Sequence, residues 1–186
     1  MSDRERGPCA SNGETSPNDT DEAARVAARL RDHHAESIAR VWDAADAVAE
    51  AWDGDATPDR EAVVAPLERR LRADGTLAAL LELFPTATDE LGTSLAADPV
   101  PAPPYLVVTA TGPILRATLP DRDGRLVVEL RAFRVVRGGD DTDTAGGSGD
   151  TPSDADATGG TDDPPTDGPS YRRVDDDGGR IVVSLR

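Results

Sequence analysis

"YLVVTATGPILRATLPDRDGRLVVELRAF", Tyr105 to Phe133, is where the chain changes its period. Before it, apolar residues recur every third or fourth position; within it they recur every second. Leu106, Val108 and Ala110 share one face, Leu115, Ala117 and Leu119 form a second such set, and Leu126, Val128, Leu130 and Ala132 a third. Each set predicts a half-buried strand. Gly112 supplies the backbone freedom for a turn after the first strand, Pro113 opens the second without an N–H at its edge, and "PDRDG" turns the second into the third. The prolines just upstream, Pro101, Pro103 and Pro104, satisfy a PxxP spacing that elsewhere docks into aromatic grooves. The simpler physical role is punctuation, because proline cannot donate to a sheet ladder and collects where a linker becomes a first or edge strand. The stretch is therefore read as a hairpin followed by a third strand.

Further along, "YRRV", "DDDGG" and "RIVVSLR" repeat the strand, turn, strand pattern between Tyr171 and Arg186, which brings the expectation to about five antiparallel strands. Toward the N-terminus the signals are helical. Asp19 and Glu22 have capping-box spacing and open one long amphipathic run from about Asp21 to Trp52, with an apolar stripe of Val26, Leu30, Ile38, Val41, Ala45, Val48 and Trp52. Asp53-Gly54 ends it. Thr57 then reads as an N-cap with Pro58 at the first helical position, starting a second helix through Val63, Val64, Leu67 and Leu71 that restarts or kinks at Pro66. A third segment, "TLAALLELF", is expected to close at Pro85, and "TATDELGTSLAA" to add a short fourth before Pro99. About four helices followed by about five strands predict an α+β domain, its helices packed on one face of a mostly antiparallel sheet.

Charge divides the chain as sharply as periodicity does. The 186 residues carry 26 Asp and 10 Glu against 20 Arg and no Lys, a net charge of -16. Residues 138–170 hold nine Asp and no basic residue, with no side chain larger than Pro or Asp, and cannot bury enough apolar surface to offset chain entropy. The expected organisation is a disordered tail at 1–19, one domain formed by 20–137 plus 170–186 (helices 20–98, sheet 104–137 and 171–186), and a disordered acidic loop at 138–169. A single cysteine, Cys9, excludes an intramolecular disulfide and a zinc site built on Cys pairs. "SDRERGP" before it lacks the apolar stretch of a lipoprotein signal, and no run of 18 apolar residues occurs, so the expected setting is the cytoplasm, with no membrane partner. Asp-heavy acidity with abundant Ala, Val and Arg and no Lys is the composition of a protein kept soluble in molar salt.

That acidic helical half, running into "PVPAPPYLVVTATGPILRATLPDRDGRLVVELRAF", resembles a family of small uncharacterised haloarchaeal proteins over about residues 21–137, chiefly through "APPYLVVTATGPILRATL". The resemblance implies a salt-rich habitat and a domain of that extent, and brings no catalytic residue or cofactor with it.

Candidate chemistry is sparse. His33 and His34 are adjacent on the first helix, about 100° apart around its axis, and so are poorly placed to share a metal; His34, four residues from both Leu30 and Ile38, reads as a boundary residue of the apolar stripe. Without a metal cluster, a nucleophile–base arrangement or a Gly-rich phosphate loop, the expectation is no catalytic site, no cofactor and no metal. The sheet is the better candidate for function. Arg116, Arg125, Arg131, Arg134, Arg137, Arg172, Arg173 and Arg186 make it basic in an acidic chain, and a binding face built from Arg116, Arg131 and Arg134 with Phe133, Tyr105 and Tyr171 is expected. Two uses are open: an interaction module acting through this face or through a sheet edge, with a protein partner or a second copy, or a regulator binding nucleic acid or a small anion. In molar salt the screening length is only about 3 Å, so binding of phosphates there needs stacking or bidentate Arg contacts. The acidic loop is expected either to solvate the protein or to fold back over the Arg face.

Overall fold

The structure is a computed structural model that describes residues 17–122, 124–137, 168–174 and 180–186. The tail through residue 16 and the acidic stretch 138–167 lie outside the described residues.

The long N-terminal helical run is two helices, α1 (Pro17–His33) and α2 (Ala35–Ala49), instead of one. The break is at His34, whose φ of -122° and ψ of 25° leave the helical well while its N–H still reaches Leu30 O at 2.9 Å. Its imidazole Nε2 sits 2.7 Å from the Thr86 hydroxyl, so a tertiary contact holds the bend. The apolar stripe survives the break because Leu30, His34 and Ile38 keep their four-residue spacing; Val26, Leu30, Val41 and Ala45 are fully buried. Helix α3 (Glu61–Ala73) begins later than Thr57-Pro58 implies. Thr57 pairs instead with Tyr171 through the two-residue strand β1 (Ala56–Thr57), and Asp59 Oδ1 accepts the Glu61 N–H at 2.8 Å to start the helix. Pro66 stays inside α3, where the loss of one backbone hydrogen bond does not end it. Pro85 likewise closes nothing. It lies in the first turn of α5 (Leu83–Leu91), where its missing N–H is one of the helix's unpaired donors anyway, and α4 (Thr76–Ala79) runs into α5 through a 3₁₀ turn.

The α+β class holds, with every strand pairing antiparallel. The strands are β2 (Leu106–Thr109), β3 (Gly112–Leu119), β4 (Gly124–Leu130), β5 (Phe133–Val136), β6 (Ser170–Arg173) and β7 (Ile181–Leu185). They divide between two sheets, β2-β3-β4-β7 and β1-β6-β5. The apolar run "RLVVELRAF" therefore contributes two strands, and the reason is local. The turn between β2 and β3 presents the Thr111 carbonyl to the chain just after β4, where it accepts both the Ala132 N–H (2.8 Å) and the Phe133 N–H (3.0 Å). Those donors leave the β4 ladder, and the chain crosses into the second sheet. At the same turn Gly112 adopts φ 133°, and a Cβ there would stand 2.0 Å from the Leu130 carbonyl oxygen, so the position requires glycine for space as well as for conformation.

The inward parity of the four-stranded sheet matches the sequence periodicity. Leu106, Leu115, Ala117, Leu119, Leu126, Val128 and Leu130 are buried against the helices, α1 packing on β7 and on α5. In the smaller sheet Phe133 and Tyr171 face the core, Phe133 against the Trp52 ring at 5.4 Å.

Candidate functional site

With the helices on one side, no described element covers the other side of the four-stranded sheet. Register fixes which residues share it. Tyr105, Arg116, Val127 and Ser184 lie in one row across β2, β3, β4 and β7; Thr118, Arg125 and Arg186 lie in the next. Arg125 and Arg186 exchange backbone hydrogen bonds of 2.5 and 3.0 Å and so are directly opposite, which puts their Cα atoms about 5.5 Å apart. Arg116 is the diagonal neighbour of Arg125. All three arginines are exposed, and among the described residues none of their guanidiniums has an ion-pair or hydrogen-bond partner.

They surround a concavity of about 550 Å³ that also includes Thr118, Val127 and Glu129. An adjoining hollow of about 380 Å³ shares Arg116, Thr118 and Arg125 and extends to Tyr105, Pro103 and Pro104. Val127 points outward yet is only 7 % exposed, flanked in register by Arg116 and Ser184. The surface is thus an apolar centre with guanidiniums and hydroxyls around it.

The expected six-residue face is only partly assembled. Arg116 is at its middle, and Tyr105 is on its rim, half-buried, its ring edge-on to Phe84 at 6.1 Å. Arg131 is exposed but engaged, with Glu129 Oε2 3.0 Å from its Nε and 2.9 Å from its Nη2. Arg134 belongs to the other sheet, where it stands opposite Arg172. Phe133 and Tyr171 do not join the face, because both are buried in the core. Arg173, one of the wider basic set, is a structural clamp on Asp46. Thr118, Val127 and Ser184 went unselected from the sequence. Thr118 was accessible by counting register outward from the "PDRDG" turn, which pairs it with Arg125; Arg186 and Ser184 depend on the β4–β7 pairing, which no local turn dictates.

His34 is half-buried, and burial together with the neighbouring His33 charge lowers its pKa below the ordinary 6.5, with Glu82 opposing. His33 is exposed on α1. Among the described residues no group of three His, Cys, Asp or Glu side chains is placed to hold a metal ion. No helix of the described residues is long and apolar enough to cross a membrane.

Compared with known proteins, residues 24–186 match the family model described as "Domain of unknown function (DUF7988)". The chain belongs to this family. The match begins within α1 and runs through β7, so DUF7988 takes in both sheets and the Arg-bearing face. No curated protein and no solved structure matches the chain.

Proposed function

We propose that this DUF7988 protein is a non-catalytic interaction module of a salt-adapted cytoplasm, and that it holds a protein partner on the outer face of its four-stranded sheet. The observation that carries this is the direct opposition of Arg125 and Arg186, with Arg116 on the diagonal and, among the described residues, no acidic side chain paired with any of them. Like charges facing each other across a ladder cost roughly 0.2–1 kcal/mol per pair, a cost that a partner's carboxylates offset on binding. The groups lining the two hollows are guanidiniums, hydroxyls and apolar side chains, and the Glu129 carboxylate is held by Arg131; these are groups that hold a carboxylate rather than move a proton. The lysine-free, Asp-rich composition supports the salt-adapted setting.

A photo-cross-linking residue at Thr118, which lies between both hollows, tests the proposal in cells of the native source and in lysate at 0.15 M and molar KCl. The expected result is one protein adduct that disappears in Arg116→Ala and Arg125→Ala. Adducts spread over many proteins and unchanged by those substitutions would remove the reading.

A second reading, a small phosphate or nucleic-acid strand on the same face, is supported by the hydroxyls of Thr118 and Ser184 beside three guanidiniums able to bind bidentately. It predicts nucleic-acid adducts at Thr118 in place of protein.

A further inference from the structure

Among the described residues, β7 is the last strand of the four-stranded sheet and no strand pairs with its outer edge. Arg186 pairs with Arg125, and the Arg131 N–H donates to Arg180 O, so in the unbroken register between them the even-numbered residues 180 to 186 turn their backbone groups toward β4. Ile181, Val183 and Leu185 turn theirs outward. Arg31 Nη2, 3.5 Å from the Ile181 carbonyl, agrees with that direction and occupies one end of the edge. The outward groups of Val183 and Leu185 face a groove of about 550 Å³ whose other wall is α1, through Asp19 at one end and Thr20, Ala24, Ala27 and Arg31 along it.

We propose that this groove takes an extended acidic segment of a partner protein, added to β7 as a fifth strand. An added strand hydrogen-bonds to the free backbone groups and alternates its side chains between two environments. On one side lies α1, whose alanines leave room for small apolar side chains. On the other lies the outer face, where the incoming residues run beside Arg186, with Arg125 one strand further in. Alternating apolar and acidic residues therefore fit both sides at once. A second copy of this chain fits less well: antiparallel self-pairing centred on Val183 sets Arg186 of each copy opposite Arg180 of the other, whose guanidinium lies over Trp42, so no carboxylate comes to Arg186. The edge shares Arg186 and Arg125 with the outer face but not Arg116, which sits on β3, two strands in from β7.

The probe is an end-blocked, fluorescein-labelled octapeptide of alternating valine and aspartate, added to the full chain and followed by anisotropy. Saturable binding is expected, at least tenfold weaker in Val183→Pro. That substitution deletes an outward N–H and spares the β4 ladder, which uses residues 182 and 184, so the far-UV circular dichroism stays unchanged. Ala24→Trp, at an exposed position on α1, fills the groove and produces the same loss should Val183→Pro disturb the fold. Arg116→Ala leaves binding within twofold. The proposal is overturned by any of four results: no binding at millimolar peptide, binding that both groove variants leave intact, an Arg116→Ala loss equal to theirs, or a micromolar dimer that Val183→Pro dissolves, which would assign the edge to a second copy.

Discussion

Arg173 Nε lies 2.6 Å from Asp46 Oδ1, tying β6 to α2. The same guanidinium donates to the carbonyls of Ala132 (3.0 Å), Val174 (2.9 Å) and Trp42 (3.2 Å), and only 12 % of its side chain is exposed. One side chain thus joins both strands of the β5–β6 pair to the helical layer. Arg173→Ala removes three charge-assisted hydrogen bonds to part-buried carbonyls, although Ala132 O keeps the Val174 N–H and Val174 O keeps Arg180, and is expected to cost about 2–3 kcal/mol in chemical denaturation. Asp46, more than half exposed, should matter far less: Asp46→Ala is expected to cost under about 1 kcal/mol. Equal losses in the two variants would show that the carboxylate, and not the carbonyl set, is the main anchor.

Gly112 offers a test of close approach. With φ at 133° and the Leu130 carbonyl oxygen 2.0 Å from where a Cβ would stand, Gly112→Ala has to move backbone at the point where the chain changes sheets. A loss of about 3 kcal/mol or more is expected. Gly75 has a positive φ of 77° but open space around it, so Gly75→Ala should cost only about 1–2 kcal/mol. Thermal midpoints of the two variants, compared with the parent chain, check the ordering.

The depressed pKa of His34 implies a pH dependence of definite sign. The folded state disfavours the protonated imidazole relative to the unfolded chain, so the contribution of His34 is complete above about pH 6.5 and is lost as pH falls from there through the lower folded pKa. Denaturation midpoints between pH 8 and pH 5 should fall more steeply for the parent than for His34→Gln, which keeps a polar partner for Thr86. Parallel curves would sink the assignment. An NMR titration of the ring gives the folded value directly.

Arg125→Gln separates binding from stability. Removing one member of the Arg125–Arg186 opposition should leave stability unchanged or raise it by a few tenths of a kcal/mol, while the Thr118 cross-link weakens. A clear destabilisation would mean that Arg125 is a structural residue and that the face was misread.

Much of the architecture was legible in the residues themselves. Strict alternation in β2, β3 and β4 placed Leu106, Leu115, Ala117, Leu119, Leu126, Val128 and Leu130 on the buried face, where they lie. The α1–α2 stripe was equally plain, since a four-residue spacing survives a bend. What periodicity could not show was the bend at His34, made by a contact with Thr86, or the division of "RLVVELRAF" between two sheets, made by the Thr111 carbonyl. Both are tertiary hydrogen bonds that leave no mark on local pattern. Pro85 misled for the opposite reason: its local signal is strong, and helix α5 runs through it.

The sequence by itself determined the helix-to-strand order, the inward faces and the gathering of arginines in an acidic chain, because these depend on period and composition. Only the tertiary structure decided what each arginine does. Arg173 became a clamp, Arg131 half of an ion pair, and Arg116, Arg125 and Arg186 one cluster without an acidic partner among the described residues. A guanidinium's role is set by the neighbours it meets across strands, and here that meeting depends on β7 pairing with β4, two segments far apart in the chain.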